Sequence, residues 1–226
     1  MLGNLEVLED ELRDTASSPE VATSLTQARE GVHRVARIVA DLRSISHPGK
    51  TQDRRRVDVH LSLDAAMRIC EGEARTRARL VREFGRDVPG VWADEAQLGQ
   101  VFLNLLVNAA QAIEPGSPQD NAITVRTRRV REGVRIEIDD TGPGIDPRFT
   151  DRLFEPFVTT KKVGEGTGLG LYVCRSIVES MHGRIELAPL EFGGTRATIV
   201  LPVAAPTEDL GGTAVPIHDP TPTEDR

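Results

Sequence analysis

Two carboxamides, one carboxylate and a run of glycines carry the chemistry this sequence can do. Asn104 and Asn108 stand four residues apart where Leu98, Val101, Leu105, Ala109 and Ala112 recur at helical spacing. Both amides therefore fall on one helix face, and Gln111 continues that stripe. Amide oxygens at the rim of a buried helix are neutral donors that can ligate Mg²⁺ while phosphates supply the charge. A purely structural pair of asparagines is the competing reading. Asp140 closes the run from Val134, in which Val134, Ile136, Ile138 and Asp140 share one face at period two. A carboxylate aimed at a covered face is costly without a donor. The amino group of adenine would be such a donor; capping the Thr141-Gly142 turn is the plainer use. Gly142 and Gly144, followed by Ile145, allow close backbone approach and positive φ. Gly164-Glu165-Gly166-Thr167-Gly168-Leu169-Gly170 then opens a helix, offering backbone N–H groups and a positive dipole end to phosphates. Lys161 and Lys162 can reach in as point charges. The loop is not of the Walker type, because no Gly-Lys-Ser/Thr comes after it. A metal hook, a base hook and a phosphate loop together describe one nucleotide site.

These groups need elements to hold them. Asp94 is a good cap for a helix reaching residue 113, with Glu95 in its first turn. Strands are expected over 123–130 and 134–140, joined across Glu132-Gly133. A glycine-rich loop of about 25 residues comes next, with a short helical piece near 151–154; loops of that length are usually functional lids. A helix over 168–181 is closed by His182-Gly183, and strands over 184–190 and 195–201 form a last hairpin. Upstream, the pattern predicts a strand at 57–59, a helix over 61–75, and strands at 80–84 and 91–93. Helices alternating with mostly hairpin-paired strands imply an α/β two-layer sandwich over residues 51–202, with helices on one face of a mixed sheet.

The opening residues have a different rhythm. Leu2, Leu5, Leu8 and Leu12 are helically spaced, and Ser17-Ser18-Pro19-Glu20 starts a second helix. Val21, Leu25, Ala28, Val32, Val35, Val39 and Leu42 then form a heptad seam. Residues 1–50 are expected to be an antiparallel helical hairpin whose seam is a bundle interface; one amphipathic helix lying on the domain is the alternative. The arms are unequal, about 20 Å against about 40 Å at 1.5 Å per residue. Val35, Ile38, Val39, Leu42 and Ile45 would lack partners. Either another chain covers that stripe or the first helix began further upstream, and the hairpin is expected to be truncated at its N-terminal end. Residues 203–226, rich in Pro, Thr and acids, are expected to be a disordered tail.

Composition narrows the rest. The 226 residues carry a formal charge of −7, much of it from Glu208, Asp209, Asp219, Glu224 and Asp225 in the tail. The remainder is near neutral and argues for no nucleic-acid partner. The arginines at 126, 128, 129 and 131 face Glu132, Glu137 and Asp139, which suggests paired charges on a solvated sheet face. Cys70 and Cys174 sit in helix-like runs, where small buried thiols fit a reducing cytoplasm. The opening residues carry no signal-peptide pattern, and no apolar run approaches the roughly 18 residues a membrane span needs.

In this order, these stretches resemble the catalytic and ATP-binding domain of sensor histidine kinases, within the GHKL (Bergerat-fold) ATPases. Asn104 to Asn108 resembles the N box, Asp140-x-Gly-x-Gly the G1 box, Leu153-Phe154-Glu155-Pro156-Phe157 the F box and Gly166-Thr167-Gly168-Leu169-Gly170-Leu171 the G2 box. Gly193-Gly194-Thr195 fits a short final glycine motif. The resemblance covers about residues 20 to 202 and implies ATP and Mg²⁺ as cofactors. It implies that Asn108 ligates the metal, Asn104 supports it, Asp140 takes the adenine amino group and Thr195 helps near the base. Phe154 and Phe157 would anchor the lid, and the Gly166 to Gly170 amides with Lys161 would hold phosphates. The implied activity passes the γ-phosphate to a histidine on the hairpin of a homodimer, then to an aspartate of a response-regulator receiver domain. The second helix, from Pro19 to Ser46, resembles the second arm of that hairpin.

Two departures matter. The family's H box, a histidine followed by an acid, is absent from the first arm. Leu2-Gly3-Asn4-Leu5-Glu6 resembles the residues just after that box, so the acceptor is expected just upstream of Met1. His33, beside Arg34 and Arg37, and His47, before Pro48, are poor substitutes. The chain is thus expected to bind Mg·ATP without phosphorylating itself. Gln111 stands where many relatives carry a basic residue, which shifts weight to Lys161 and Lys162. Two rivals remain. A hydrolysing GHKL ATPase would need a glutamate at position 104, and a nucleotide-sensing scaffold would dimerise without catalysis.

Overall fold

The computed structural model describes residues 31, 54–159, 161 and 166–203. Apart from residues 31 and 203, the expected hairpin and tail lie outside them, as does Lys162. The first departure from expectation is a cap. The strand expected at 57–59 stops at Val57, because the Asp58 carboxylate accepts the N–H groups of His60 (2.8 Å) and Leu61 (3.4 Å) and starts a helix instead. The elements run β1 (Arg55–Val57), α1 (Val59–Ala74), β2 (Arg79–Phe84), β3 (Val91–Ala93), α2 (Glu95–Ala112), β4 (Ala122–Val130) and β5 (Gly133–Asp140). A 3₁₀ helix (Pro147–Arg152), α3 (Gly170–Ser180), β6 (Arg184–Pro189) and β7 (Thr195–Leu201) complete the series.

Helix α2 is the spine. Asp94 caps it by accepting the Gln97 N–H at 3.0 Å. Leu98, Val101, Phe102, Leu105, Leu106, Ala109 and Ala110 are buried along one broad face. They pack with Leu63 and Met67 of α1 and Val173 and Ile177 of α3 over a five-stranded sheet of order β2-β4-β5-β7-β6. Strand β2 runs parallel to β4, while the other pairs are antiparallel. This is the mixed sheet with helices on one face that the sequence implied. β1 and β3 form a separate antiparallel pair. The β4–β5 turn is Arg131-Glu132, since Val130 pairs with Gly133.

The other face of the sheet carries charge. Asp139 takes the guanidinium of Arg196 at 2.7 and 2.6 Å and also that of Arg126. Arg126 reaches Glu83 at 2.5 Å, and Arg128 reaches Glu137 at 3.2 Å. Two arginines of the stripe are thus engaged with carboxylates, as alternation along β4 and β5 suggested.

Both cysteines are buried. Burial pushes the Cys70 thiol up to about 11, with Glu73 adding to the rise. At pH 8 that leaves roughly a hundredfold less thiolate than an open cysteine has. Native protein should therefore react with Ellman's reagent far more slowly than protein in denaturant, where both thiols should titrate at once. Equal rates would contradict the burial. Among the described residues, no helix is long and apolar enough to cross a membrane.

Candidate functional site

A cavity of about 490 Å³ opens between α2, the end of β5, the loop after it and the start of α3. That size suits a ligand of nucleotide dimensions. Asp140 stands at its base, only 5% exposed, on the same face as Ile136 and Ile138. Its Oδ1 accepts the backbone N–H groups of Gly142 (2.8 Å) and Thr195 (3.3 Å). Asp140 therefore caps the Thr141-Gly142 turn, the plainer use expected from the sequence, and also lines the cavity. Burial pushes the Asp140 carboxyl above the ordinary carboxylate range; the bonds from Gly142 and Thr195 oppose this, and the Asp139 charge adds to it.

The Asp140 turn is pressed against the last hairpin. Gly194, at φ 94°, lies so close that an added Cβ would stand 1.9 Å from the Asp140 carbonyl oxygen. The same contact places Thr195 beside the carboxylate. Gly194 is thus a packing device for the site.

On the opposite wall, Asn104, Asn108 and Gln111 project from α2. The Asn104 Nδ2 is buried and has no hydrogen-bond partner among the described residues. A buried donor of that kind suits a ligand oxygen. The Asn108 Oδ1 accepts from Lys161 Nζ at 3.2 Å, and the Gln111 Oε1 accepts from the same ammonium at 2.5 Å. Among the described residues no cluster of His, Cys, Asp or Glu could hold a metal unaided. The donor set here is neutral amide oxygen, which fits a magnesium ion whose charge is met by phosphates.

The cavity wall gathers most of the residues singled out in the sequence: Asn104, Asn108, Asp140, Gly144, Ile145, Lys161, Gly166, Thr167, Gly168, Gly170 and Thr195. Three stand off it. Gly142 lies behind Asp140 and donates to it. Leu169 is 3% exposed and turned into the protein, since the residue before a helix start must seat it. The Phe157 ring is 73% exposed, and the residue acts through its backbone at φ 66°, donating its N–H to the Gly168 oxygen at 2.9 Å. An added Cβ on Gly168 would strike the Phe157 backbone at 2.5 Å. The ring that seats the loop is that of Phe154, which packs on the core with the Arg175 guanidinium 5.4 Å from its centre. Sequence reasoning missed Phe149, Leu153, Val158 and Leu187, which add apolar wall. Of these, only Leu153 lies in the F-box stretch, whose apolar positions could have signalled it.

Comparison with known proteins agrees with this architecture. Residues 93–205 match the model of the histidine kinase-, DNA gyrase B-, and HSP90-like ATPases. The chain is 40% identical over 148 residues to the C4-dicarboxylate transport sensor protein DctS of Rhodobacter capsulatus, covering 65% of this chain and 22% of that one. It is 30% identical over 211 residues to the sensory histidine kinase/phosphatase NtrB of Salmonella typhimurium, covering 89% of this chain and 57% of the other. Among solved structures, the mycobacterial sensor histidine kinase MprB superposes with a TM-score of 0.57 at 27% identity, covering 66% of this chain and 97% of that one. The chain thus spans only part of the length of these curated relatives. With its cavity, glycine turns and paired amides already in place, the chain belongs to the family of histidine kinase-, DNA gyrase B- and HSP90-like ATPases, as a catalytic ATP-binding domain of the histidine kinase type.

Proposed function

We propose that this chain is the ATP-binding kinase core of a two-component sensor histidine kinase. The supporting observation is one cavity that holds a buried carboxylate on one wall and a cation-seeking carboxamide on the other. Asp140 takes the adenine amino group through Oδ2, since both backbone donors converge on Oδ1. Thr195 steadies that carboxylate. Asn108 offers Oδ1 to the metal, and Asn104 Nδ2 offers its unused proton to a phosphate oxygen or a metal-bound water. The Gly166, Thr167, Gly168 and Gly170 backbone, with Lys161 and Lys162, accommodates the phosphates at the α3 start. A magnesium ion, when bound, neutralises and orients those phosphates.

Phosphoryl transfer needs positioning and charge neutralisation more than covalent help from the protein. Among the described residues, the carboxylates of the cavity wall are Asp140 and Asp146, while α2 presents amides. Among the described residues no carboxylate of α2 stands beside Asn108 to activate water, which favours transfer over hydrolysis. In this proposal residues 1–50 supply a pairing hairpin for a homodimer, 51–202 the ATP-binding domain and 203–226 a tail. The phosphoryl group goes to a hairpin histidine and then to a response-regulator aspartate.

Incubation with Mg²⁺ and γ-labelled ATP tests this. The expected outcome is ATP retained on a filter with no acid-labile label on the chain itself, because the first arm has no H box. Acid-labile label on the protein would overturn the missing acceptor; failure to retain ATP would overturn the nucleotide site.

A further inference from the structure

Among the described residues of the cavity wall, the basic group is Lys161, and it sits on the metal-type oxygen. Lys161 Nζ lies 3.2 Å from Asn108 Oδ1 and 2.5 Å from Gln111 Oε1. Asn108 and Gln111 are one helical turn apart on α2, so their carboxamides stand together and present two oxygens to one cation. An ammonium has donors and no acceptor, and it concentrates its charge at a point. In that respect it resembles a small metal ion.

We propose that Lys161 is a resident cation at the metal position. Gln111 holds its ammonium on Asn108 Oδ1 until a metal-bearing nucleotide displaces it, and the same ammonium neutralises phosphates when metal is scarce. The proposal rests on the nucleotide reading above and adds Gln111 to it, as a positioning residue for Lys161. Two cations at contact with one amide oxygen repel each other, so metal and lysine exclude one another there. Metal-free nucleotide carries no such competitor and can use the seated ammonium directly. Removing the lysine should therefore harm metal-free binding far more than metal-bound binding.

Titration calorimetry of the full chain with ADP, once with Mg²⁺ and once with EDTA, reads this out. For Lys161→Met, metal-free ADP binding should weaken about tenfold or more, the loss of one charge-assisted hydrogen bond. Mg·ADP binding should change much less, so the ratio of the two dissociation constants should rise by about tenfold. Gln111→Leu should move the ratio the same way by a smaller factor; its half-exposed position lets the amide go without disturbing the core. An unchanged ratio, with both ligands weakened equally, would mean that the lysine only stiffens the loop and would overturn the proposal. Absence of Mg·ADP binding by the unaltered protein would instead overturn the nucleotide reading beneath it.

Discussion

Asp140→Asn should cost the domain about a hundredfold in affinity for Mg·ADP while making the ligand-free protein more stable. The affinity loss is the worth of one hydrogen bond to a charged group at a buried site. Oδ1 can keep the Gly142 and Thr195 donors in the variant, so the turn survives. The atom facing the base becomes an N–H₂, which opposes the amino group of adenine. The stability gain comes from the direction of the carboxyl's shift. Burial raises the folded-state value above the ordinary 3.8, so the folded protein binds a proton more tightly than the unfolded chain does. Stability from this group is present below pH 3.8 and is lost as pH rises through the folded value. At neutral pH the ionised carboxylate is therefore a cost, and the amide avoids it. Thermal melts should show the variant above the parent at pH 7, with the gap closing as pH falls toward 3.8. Calorimetry showing undiminished affinity would place the base elsewhere.

Gly194→Ala should have a large effect on stability. The backbone there sits at φ 94°, and the added Cβ would stand 1.9 Å from the Asp140 carbonyl oxygen and 2.9 Å from its carbon. Neither atom is a flexible chain end, so β7 must separate from the Asp140 turn. A loss of about 4 kcal/mol is expected from the strained φ and the clash together. For a domain of this size that lowers Tm by roughly 10 °C. Gly193→Ala supplies the control: its φ is 95°, but the nearest atom to an added Cβ is 4.0 Å away. It should lose only the backbone-strain part, about 1–2 kcal/mol. Equal melting shifts for the two variants would refute the packing role of Gly194.

The contrast between Asp140 and Asp58 shows which parts of the molecule were legible beforehand. Period two along β5 located Asp140 on the covered face, and the structure leaves it 5% exposed there. The helical stripe of amides on α2 was equally plain, because one element fixes all three residues. Val57-Asp58-Val59 misled, because alternation over three residues fits a strand and also a cap followed by a helix; the acid's capping chemistry decided it. Pairing between distant segments left no local mark. The parallel register of β2 on β4, and the joining of Phe149, Leu153 and Leu187 in one wall, arise only when the sheet assembles. Leu169 and Phe157 stand off the cavity for a related reason. A motif marks a backbone path, and it does not say which side chains along that path turn inward. Gln111 looked like a weakened contact; its oxygen instead holds the Lys161 ammonium.

One spectrum tests the central claim most directly: ¹⁵N–¹H correlation of the labelled chain with Mg·ADP, repeated with Mn·ADP. The Asn108 side-chain amide signals are expected to vanish under the paramagnetic ion. The Gly142 and Thr195 backbone signals should shift on nucleotide addition in both cases, and they should survive manganese. Persistence of the Asn108 signals, or bleaching centred on Gly142 and Thr195, would put the metal at the wrong wall and contradict a site in which Asp140 holds the base and Asn108 the ion.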